Sequence, residues 1–231
     1  MTDAVLLAAG LGSRAWPLTA RCPKPVLRIG HESVLERHLR RLEGSGHTRT
    51  LVTCSYHSST LRLLAPVRAA VSMRVEFSHE GPTPLETAGG LRRVLSRLNR
   101  APFTLVNGDV WTEAPLGALG APPPGGIHLL LVPNPPHHPT GDFCLNDDGT
   151  VTLPRAGHNT LTYAGIARID PRFMDTAPDT PRLADIFRSL ITTGRLTGQR
   201  TDHTWFDVGT VEAFTSLNAR KARSGDTQFG Q

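Results

Sequence analysis

Apolar residues in the first half of the chain form two kinds of run in regular alternation. Four short segments predict strands, at residues 5–8, 50–54, 73–77 and 103–106, and the uninterrupted apolar run at 5–8 is typical of a strand buried on both faces. Three stretches between them carry apolar residues at helical spacing, at residues 33–44, 59–64 and 87–99. This alternation predicts a single α/β domain with a Rossmann-like, doubly wound, mostly parallel sheet in a three-layer α/β/α arrangement.

Capping residues support several of these boundaries. Ser33 stands where a helix N-cap is expected, with Glu36 as its capping-box partner, and Thr87 and Thr210 are further N-cap candidates. The second half is less regular and contains a predicted hairpin turn around Asp148. Its predicted strands are residues 127–132, 161–169 and 205–208, and its predicted helices are 183–192 and 211–223. We expect one domain over residues 1–223 and a polar C-terminal tail over 224–231.

Composition narrows the class of protein. The net charge is +5, but the basic residues are scattered, which argues against a nucleic-acid partner. There is no apolar run of the roughly 20 residues that a bilayer span requires, and the first residues do not resemble a secretory signal. The three cysteines are too few and too far apart for a disulfide framework or a zinc site. These features predict a cytoplasmic protein without a membrane partner, as a monomer or small homo-oligomer.

A glycine-containing loop follows the first strand. Gly10 and Gly12 let the backbone approach a ligand and point N–H groups at an anion, as phosphate-binding loops do. The segment also matches the dinucleotide pattern G-x-G-x-x-A, but that pattern must open a helix at once. Because prolines follow at 17, 23 and 25, we expect an extended loop to about Ile29 instead. A P-loop is excluded because its lysine-containing motif is missing.

Two cations lie in or near this loop. Arg14 offers a forked guanidinium and Lys24 a compact ammonium for phosphate oxygens. Pro23 and Pro25 restrict the backbone around Lys24. A lysine in a proline-rich loop is by itself more often a surface residue, but its combination with the glycine loop favours phosphate binding.

Two aspartates are candidate ligands for Mg²⁺, which prefers oxygen atoms. Asp109 follows a buried strand, where a doubly wound sheet binds its ligands, and Asp207 lies in an otherwise apolar and aromatic strand. Asp109 could instead be a turn residue after Asn107-Gly108, and Asp207 could be a buried acid paired with an arginine or capping a helix.

Two further loops offer polar groups to a substrate. Residues 79–90 join a strand to a helix, and their glycines allow close approach of a flat ring or an anion. In the second loop Asp142 could contact a sugar hydroxyl, although a hairpin turn explains it equally well. The adjacent His137 and His138 do not predict zinc, because neighbouring residues of an extended segment point in opposite directions.

The motifs together resemble the signature of the sugar-phosphate nucleotidyltransferases. The resemblance rests on Leu7-Ala8-Ala9-Gly10-Leu11-Gly12-Ser13-Arg14, then Pro17-Leu18-Thr19, then Pro23-Lys24-Pro25. It implies a Rossmann-like domain, a divalent metal, usually Mg²⁺, bound by Asp109 and Asp207, and catalytic roles for Arg14 and Lys24. It also implies a set of nucleotide-binding residues: Ala9, Gly10, Leu11, Gly12, Ser13, Glu80, Pro84 and Gly89.

Segments along nearly the whole chain are similar to one group of this family, the N-acetylmuramate α-1-phosphate uridylyltransferases of cell-wall recycling. This implies UTP and a sugar 1-phosphate as substrates, with Asn107, Asp142 and Thr162 facing the sugar. Ala88 replaces a glycine in the base-binding loop, and this makes the loop more similar to the corresponding loops of mannose 1-phosphate guanylyltransferases. A guanylyl- or cytidylyltransferase and a non-catalytic nucleotide sensor therefore remain alternatives.

Overall fold

A computed structural model describes residues 2–55, 71–81, 85–180 and 182–223, and a nine-stranded sheet runs through the centre of this described part. The strands are β1 (Asp3–Leu7), β2 (Arg28–Ile29), β3 (Glu32–Ser33), β4 (Arg49–Cys54), β5 (Arg74–His79), β6 (Phe103–Asn107), β7 (Val110–Thr112), β8 (Ile127–Val132), β9 (Phe143–Leu145), β10 (Val151–Thr152), β11 (Thr160–Ile169), β12 (Leu196–Arg200) and β13 (Trp205–Asp207). The helices are α1 (Val34–Gly44), α2 (Glu86–Leu95), α3 (Leu183–Thr192) and α4 (Val211–Arg223). The helix expected over 59–64 and the tail expected over 224–231 lie outside the described residues.

The half of the sheet built by the first part of the chain is parallel. Its order is β5-β4-β1-β6, with Leu6 paired to Val52 on one side and to Val106 on the other. All four strands therefore end at the same edge of the sheet, and the loops after β1 and β6 lie side by side.

The other half contains antiparallel pairs that the hydrophobic pattern did not predict. Strand β11 runs antiparallel to β6, β8 and β9, and β12 adds to β8 in parallel. Strand β12 was not predicted because its sequence, Leu-Thr-Gly-Gln-Arg, has few apolar residues. Gly198 lies in this strand where a Cβ would be only 3.1 Å from side-chain atoms of Leu131 and Val151.

Helices cover both faces, which confirms the predicted three-layer α/β/α domain. Alternate residues of β1 belong to different cores: Ala4 and Leu6 pack with α1, whereas Val5 packs with α2. Helix α3 joins the core of Val5. The fourth helix, α4, packs outside these layers through Leu217, in a small third cluster with Trp111 and Val208.

The capping predictions have mixed outcomes. The capping box at the start of α1 is confirmed, because Glu36 N donates to Ser33 Oγ at 3.1 Å and Ser33 N donates to Glu36 Oε2 at 2.6 Å. Thr210 Oγ1 accepts from Ala213 N at 3.2 Å at the start of α4. The N-cap prediction for Thr87 is wrong: α2 begins at Glu86, with Leu85 as an N-cap that makes no side-chain capping bond.

The glycine loop also differs from the expectation of a wholly extended segment. Single turns of 3-10 helix form at Ser13–Ala15 and Lys24–Val26. The prolines do not prevent such a turn, because Pro25 stands in its first residues, where its missing N–H is not required. Lys24 is thereby held at the start of a turn, and the loop ends in the short hairpin β2–β3.

Among the described helices, none combines the length and the apolar composition needed to cross a bilayer.

A bulge interrupts β11 beside the edge where β6 ends. The register between β11 and β8 shifts between Tyr163 and Ala167, and Gly165 adopts a left-handed φ of 73°. A Cβ at Gly165 would lie 2.9 Å from Val110 Cγ1 and 3.0 Å from Asn107 Nδ2. Glycine is thus required twice, for the backbone conformation and for the close approach of β6 and β7.

We expect Gly165→Ala to destabilise the protein more than Gly157→Ala. Gly157 has a similar φ of 77°, but a Cβ added there would have nothing within 4 Å, so its substitution adds only backbone strain, about 1 kcal/mol. The clash at Gly165 should add a further ~1–3 kcal/mol. Urea unfolding of both variants measures the difference, and equal midpoints would show that the contacts with Asn107 and Val110 do not matter.

Candidate active site

A first cavity of about 220 Å³ opens at the carboxyl ends of β1 and β6. It is lined by Leu7, Ala8, Ala9, Gly10, Gly12, Lys24, Pro25, Thr53, Glu80, Thr87, Asn107, Gly108 and Asp109. Gly108 N donates to Leu7 O at 2.8 Å, and a Cβ at Gly108 would lie 2.5 Å from the same oxygen. Glycine at this position therefore lets the loop after β6 close against the end of β1.

A second cavity of about 310 Å³ shares a wall with the first. It is lined by Arg14, Asn107, Asp109, Val110, His137, His138, Thr162, Tyr163, Gly165, Trp205 and Asp207. Asn107 and Asp109 line both cavities. Two ligands bound in the two cavities would consequently meet at these two residues.

Lys24, which lines the first cavity, forms an ion pair with Asp109, which lines both, and Lys24 Nζ is 3.1 Å from Asp109 Oδ2. Lys24 is nearly buried, with 10% of its side chain exposed, whereas 31% of the Asp109 side chain is exposed. A buried ammonium requires a compensating negative group, and Asp109 provides it. The pair places a fixed positive charge and a carboxylate side by side where the cavities join.

The second predicted metal ligand, Asp207, is brought to Asp109 by the β7–β13 ribbon. Asp207 is the register partner of Val110, and Val208 N donates to Asp109 O at 2.8 Å. Both carboxylates line the second cavity. Asp207 lies at the end of its strand, and its Oδ1 accepts from Gly209 N at 2.7 Å. Two carboxylates beside a phosphate-sized space are a suitable ligand set for a hard divalent cation.

Arg14 lies next to Asp207. A Cβ at Gly209 would lie 2.6 Å from Asp207 Oδ1 and 3.1 Å from Arg14 Nη2, so the two side chains share the space above this glycine. Arg14 lines the second cavity and not the first, although the glycine loop that carries it borders the first. Its guanidinium is therefore near the carboxylates and able to bind phosphate oxygens at the junction.

Asn107 has a polar atom that the described residues leave unsatisfied. Its Oδ1 is buried and has no hydrogen-bond partner among them. A buried acceptor without a donor is costly, and a ligand in either cavity could supply one. The contact between Asn107 and a sugar stays a prediction.

Glu80 is a buried carboxylate in the lining of the first cavity. It is only 7% exposed, and its Oε2 accepts from Leu85 N at 2.9 Å. The carboxyl group packs on Gly90, where any Cβ would overlap with Oε1. Gly90 is thus the glycine that makes room for Glu80, whereas a Cβ at the predicted Gly89 would meet Leu85 Cβ at 2.9 Å. The predicted Pro84 lies outside the described residues.

The other predicted binding residues are distributed unevenly. Ala9, Gly10 and Gly12 line the first cavity, and Leu11 lines a narrow crevice beside it. Thr162 lines the second cavity and donates to Asn134 Oδ1 at 2.9 Å. In the described part of the chain, the residues lining the first and second cavities do not include four of the predicted ones: Leu11, Ser13, Gly89 and Asp142.

Sequence reasoning did not assign His138 or Trp205 to the site. His138 lines the second cavity and its Nε2 is 3.0 Å from Asp142 Oδ1. Trp205 contributes an aromatic wall and donates from Nε1 to Ala164 O at 2.9 Å. In the sequence the adjacent histidines suggest only a metal site, which their spacing argues against, and a tryptophan beside Asp207 gives no separate signal.

Two titratable groups behind the site remain neutral. Complete burial lowers the pKa of His38, which lies under β7, to about 4. Burial, with the nearby Glu80 carboxylate, raises the pKa of the Cys54 thiol to about 11. Neither group adds charge near the cavities at neutral pH, and Cys54 is not an activated nucleophile.

Comparisons with known proteins show which family the chain belongs to. The model of the family "Nucleotidyl transferase" matches residues 3–120. N-acetylmuramate alpha-1-phosphate uridylyltransferase from Neisseria meningitidis serogroup B is 35% identical over 215 residues, covering 90% of this chain and 93% of that protein. The beta catalytic subunit of mannose-1-phosphate guanylyltransferase from Dictyostelium discoideum is 24% identical, covering 95% of this chain and 66% of its own.

A solved structure shares the fold. UDP-glucose pyrophosphorylase from Acinetobacter baumannii superposes with a TM-score of 0.78 at 17% identity, covering 98% of this chain and 95% of that one. The family match, the similarity over nearly the full length of a uridylyltransferase and the shared fold all lead to the same assignment. The chain belongs to the nucleotidyl transferase family and is a sugar 1-phosphate nucleotidyltransferase.

Proposed function

We propose that this protein transfers a uridylyl group from UTP to N-acetylmuramate α-1-phosphate, releasing pyrophosphate and forming the UDP-sugar. The observation that carries the proposal is the ion pair between Lys24, which lines the first cavity, and Asp109, which lines both cavities. One cavity has the size and glycine-lined entrance for a nucleotide, and the other has an aromatic wall and polar groups for a sugar phosphate. The reaction, a step of cell-wall recycling, would take place in the cytoplasm, where both substrates would be formed.

The nucleotide would occupy the first cavity. Glu80 can accept a hydrogen bond from an N–H of the base, since a carboxylate is an acceptor when ionised. The backbone of residues 10–12 would hold the phosphates at the entrance, and the Arg14 guanidinium would bind phosphate oxygens from the side of the second cavity. The α-phosphate would then lie near Lys24 and Asn107, against the second cavity.

The chemistry requires positioning and charge compensation more than proton transfer. An oxygen of the sugar 1-phosphate attacks the α-phosphorus of UTP, a new P–O bond forms, and the bond to the bridging oxygen of the β-phosphate breaks. The electron pair leaves with pyrophosphate. The attacking phosphate is already ionised, so a general base is not needed. Lys24 stabilises the negative charge that develops on the α-phosphate oxygens.

Asp109 and Asp207 are the residues that would hold Mg²⁺ at the junction. When bound, the ion would neutralise charge on the phosphates of both substrates. The neighbouring Lys24 ammonium would neutralise part of the same phosphate charge, and it is present whether or not the ion is bound.

Replacing either aspartate with asparagine should remove this function. We expect Asp109→Asn and Asp207→Asn each to lower kcat/KM at least about a hundredfold, because each removes a carboxylate from the metal site. Pyrophosphate release from UTP with N-acetylmuramate α-1-phosphate measures the loss, and circular dichroism checks the fold.

The matched control is Asp202→Asn, since Asp202 is exposed and pairs with Arg200 at the surface. This control should keep wild-type turnover. Full activity of both site variants, or activity of the wild type in EDTA that Mg²⁺ does not increase, would refute the metal assignment. Failure of the purified wild type to turn over with any substrate pair would favour the non-catalytic nucleotide sensor.

A guanylyltransferase is the second candidate. Guanine presents two neighbouring donors, at N1 and N2, which a carboxylate such as Glu80 can accept, whereas uracil presents one, at N3. Ala88 and the similarity to mannose-1-phosphate guanylyltransferase point in the same direction, but at lower identity than the uridylyltransferase.

A panel of UTP, GTP, CTP and ATP with several sugar 1-phosphates distinguishes these reactions. We expect the highest kcat/KM with UTP and N-acetylmuramate α-1-phosphate, by at least about tenfold over GTP with mannose 1-phosphate. A preference for GTP would transfer the proposal to the guanylyltransferase reaction.

A further inference from the structure

His137 and His138 are polar residues of the second cavity that the reaction described above does not use. They lie in the loop between β8 and β9 and line the cavity together with Thr162 and Trp205. The loop is closed by hydrogen bonds of its own backbone, from His138 N to Pro135 O at 2.9 Å and from Gly141 N to His138 O at 3.2 Å. Its histidines are therefore presented to the cavity by an ordered turn.

Asp142 orients His138. Its Oδ1 lies 3.0 Å from His138 Nε2, and its Oδ2 accepts from the backbone N–H of Tyr163 at 2.8 Å. An ionised carboxylate only accepts hydrogen bonds, so Nε2 must carry a hydrogen. Nδ1 is then the polar atom of the ring that is not engaged with Asp142. In the imidazolium form, whose charge Asp142 compensates, Nδ1 also carries a hydrogen and donates it.

The charges that line the second cavity divide into two groups. One group is Arg14, Asp207 and Asp109: Arg14 and Asp207 share the space above Gly209, and Asp109, which also lines the first cavity, is joined to the segment of Asp207 through Val208 N. The phosphates and the metal would bind here. Of the remaining described residues that line this cavity, only the two histidines can carry a positive charge. His138 differs from His137 in having a carboxylate partner fixed to β11.

We propose that His138, oriented by Asp142, binds a carboxylate substituent of the sugar through Nδ1. This inference rests on the proposed function, since N-acetylmuramate differs from N-acetylglucosamine by a lactyl ether that carries a carboxylate. His138 is the residue that selects the acidic sugar, and Asp142 is a positioning residue that acts through His138. The sugar ring itself lies against Trp205, whose indole is already held by Ala164 O.

The test compares two sugars and one conservative substitution. A glutamine at position 138 can place its amide nitrogen where the imidazole Nε2 lies, which retains the bond to Asp142 and removes only Nδ1. KM and kcat are measured for wild type and His138→Gln with UTP and either N-acetylmuramate α-1-phosphate or N-acetylglucosamine α-1-phosphate.

We expect His138→Gln to raise KM for N-acetylmuramate α-1-phosphate about tenfold or more, as for the loss of a charge-assisted hydrogen bond. KM for N-acetylglucosamine α-1-phosphate, KM for UTP and kcat with the acidic sugar should stay within about twofold of wild type. Asp142→Asn should shift the ratio of the two sugar KM values in the same direction. The matched control, His158→Gln, changes a histidine of an exposed turn and should leave all values unchanged.

Each of the following results would overturn the inference or the proposed function. A KM that rises equally for both sugars would place His138 against a group that they share, and unchanged values would remove His138 from sugar binding. A wild type that prefers N-acetylglucosamine α-1-phosphate would also overturn the inference while leaving a uridylyltransferase. A wild type that turns over neither sugar with UTP refutes the proposed function itself.

Discussion

The ion pair between Lys24 and Asp109 is the constraint on which the site depends. A lysine that is nearly buried must have a negative partner, and Asp109 is held in place by the loop after β6. This loop packs on the end of β1 because Gly108 has no side chain. The sheet order, the glycine and the proline-flanked turn of Lys24 therefore all serve to bring one cation and one carboxylate to the same point.

The groups around this pair differ in whether they are charged. Burial keeps His38 and Cys54 neutral behind the site. Among the described residues that line the two cavities, the charged side chains besides the two histidines are Lys24, Arg14, Glu80, Asp109 and Asp207. Preorganised charges of this kind stabilise a transition state without rearrangement. The arrangement explains how a small single-domain chain could carry out transfer between two polyanions with no side-chain nucleophile.

The two halves of the sheet contribute to different cavities. The parallel strands β1, β4, β5 and β6 carry loops that line the first cavity, at the edge where doubly wound sheets generally bind their ligands. The antiparallel strand β11 and the β7–β13 ribbon build the second cavity and deliver Asp207, Thr162 and Trp205. Differences between sugars are therefore expected to depend on the second half of the chain and its loops.

The sequence by itself determined the layered α/β domain, the capping box of α1, the glycine loop and the grouping of Arg14, Lys24, Asp109 and Asp207 in one place. These features depend on local periodicity, backbone restriction and motif spacing, which can be recognised along one chain. Only the tertiary structure decided that β11 runs antiparallel, that Leu196–Arg200 forms a strand, that Gly90 accommodates Glu80 and that Asp142 bonds to His138. Contacts of this kind join residues from different strands and loops, and their partners are selected by packing in three dimensions and not by neighbouring residues in the sequence.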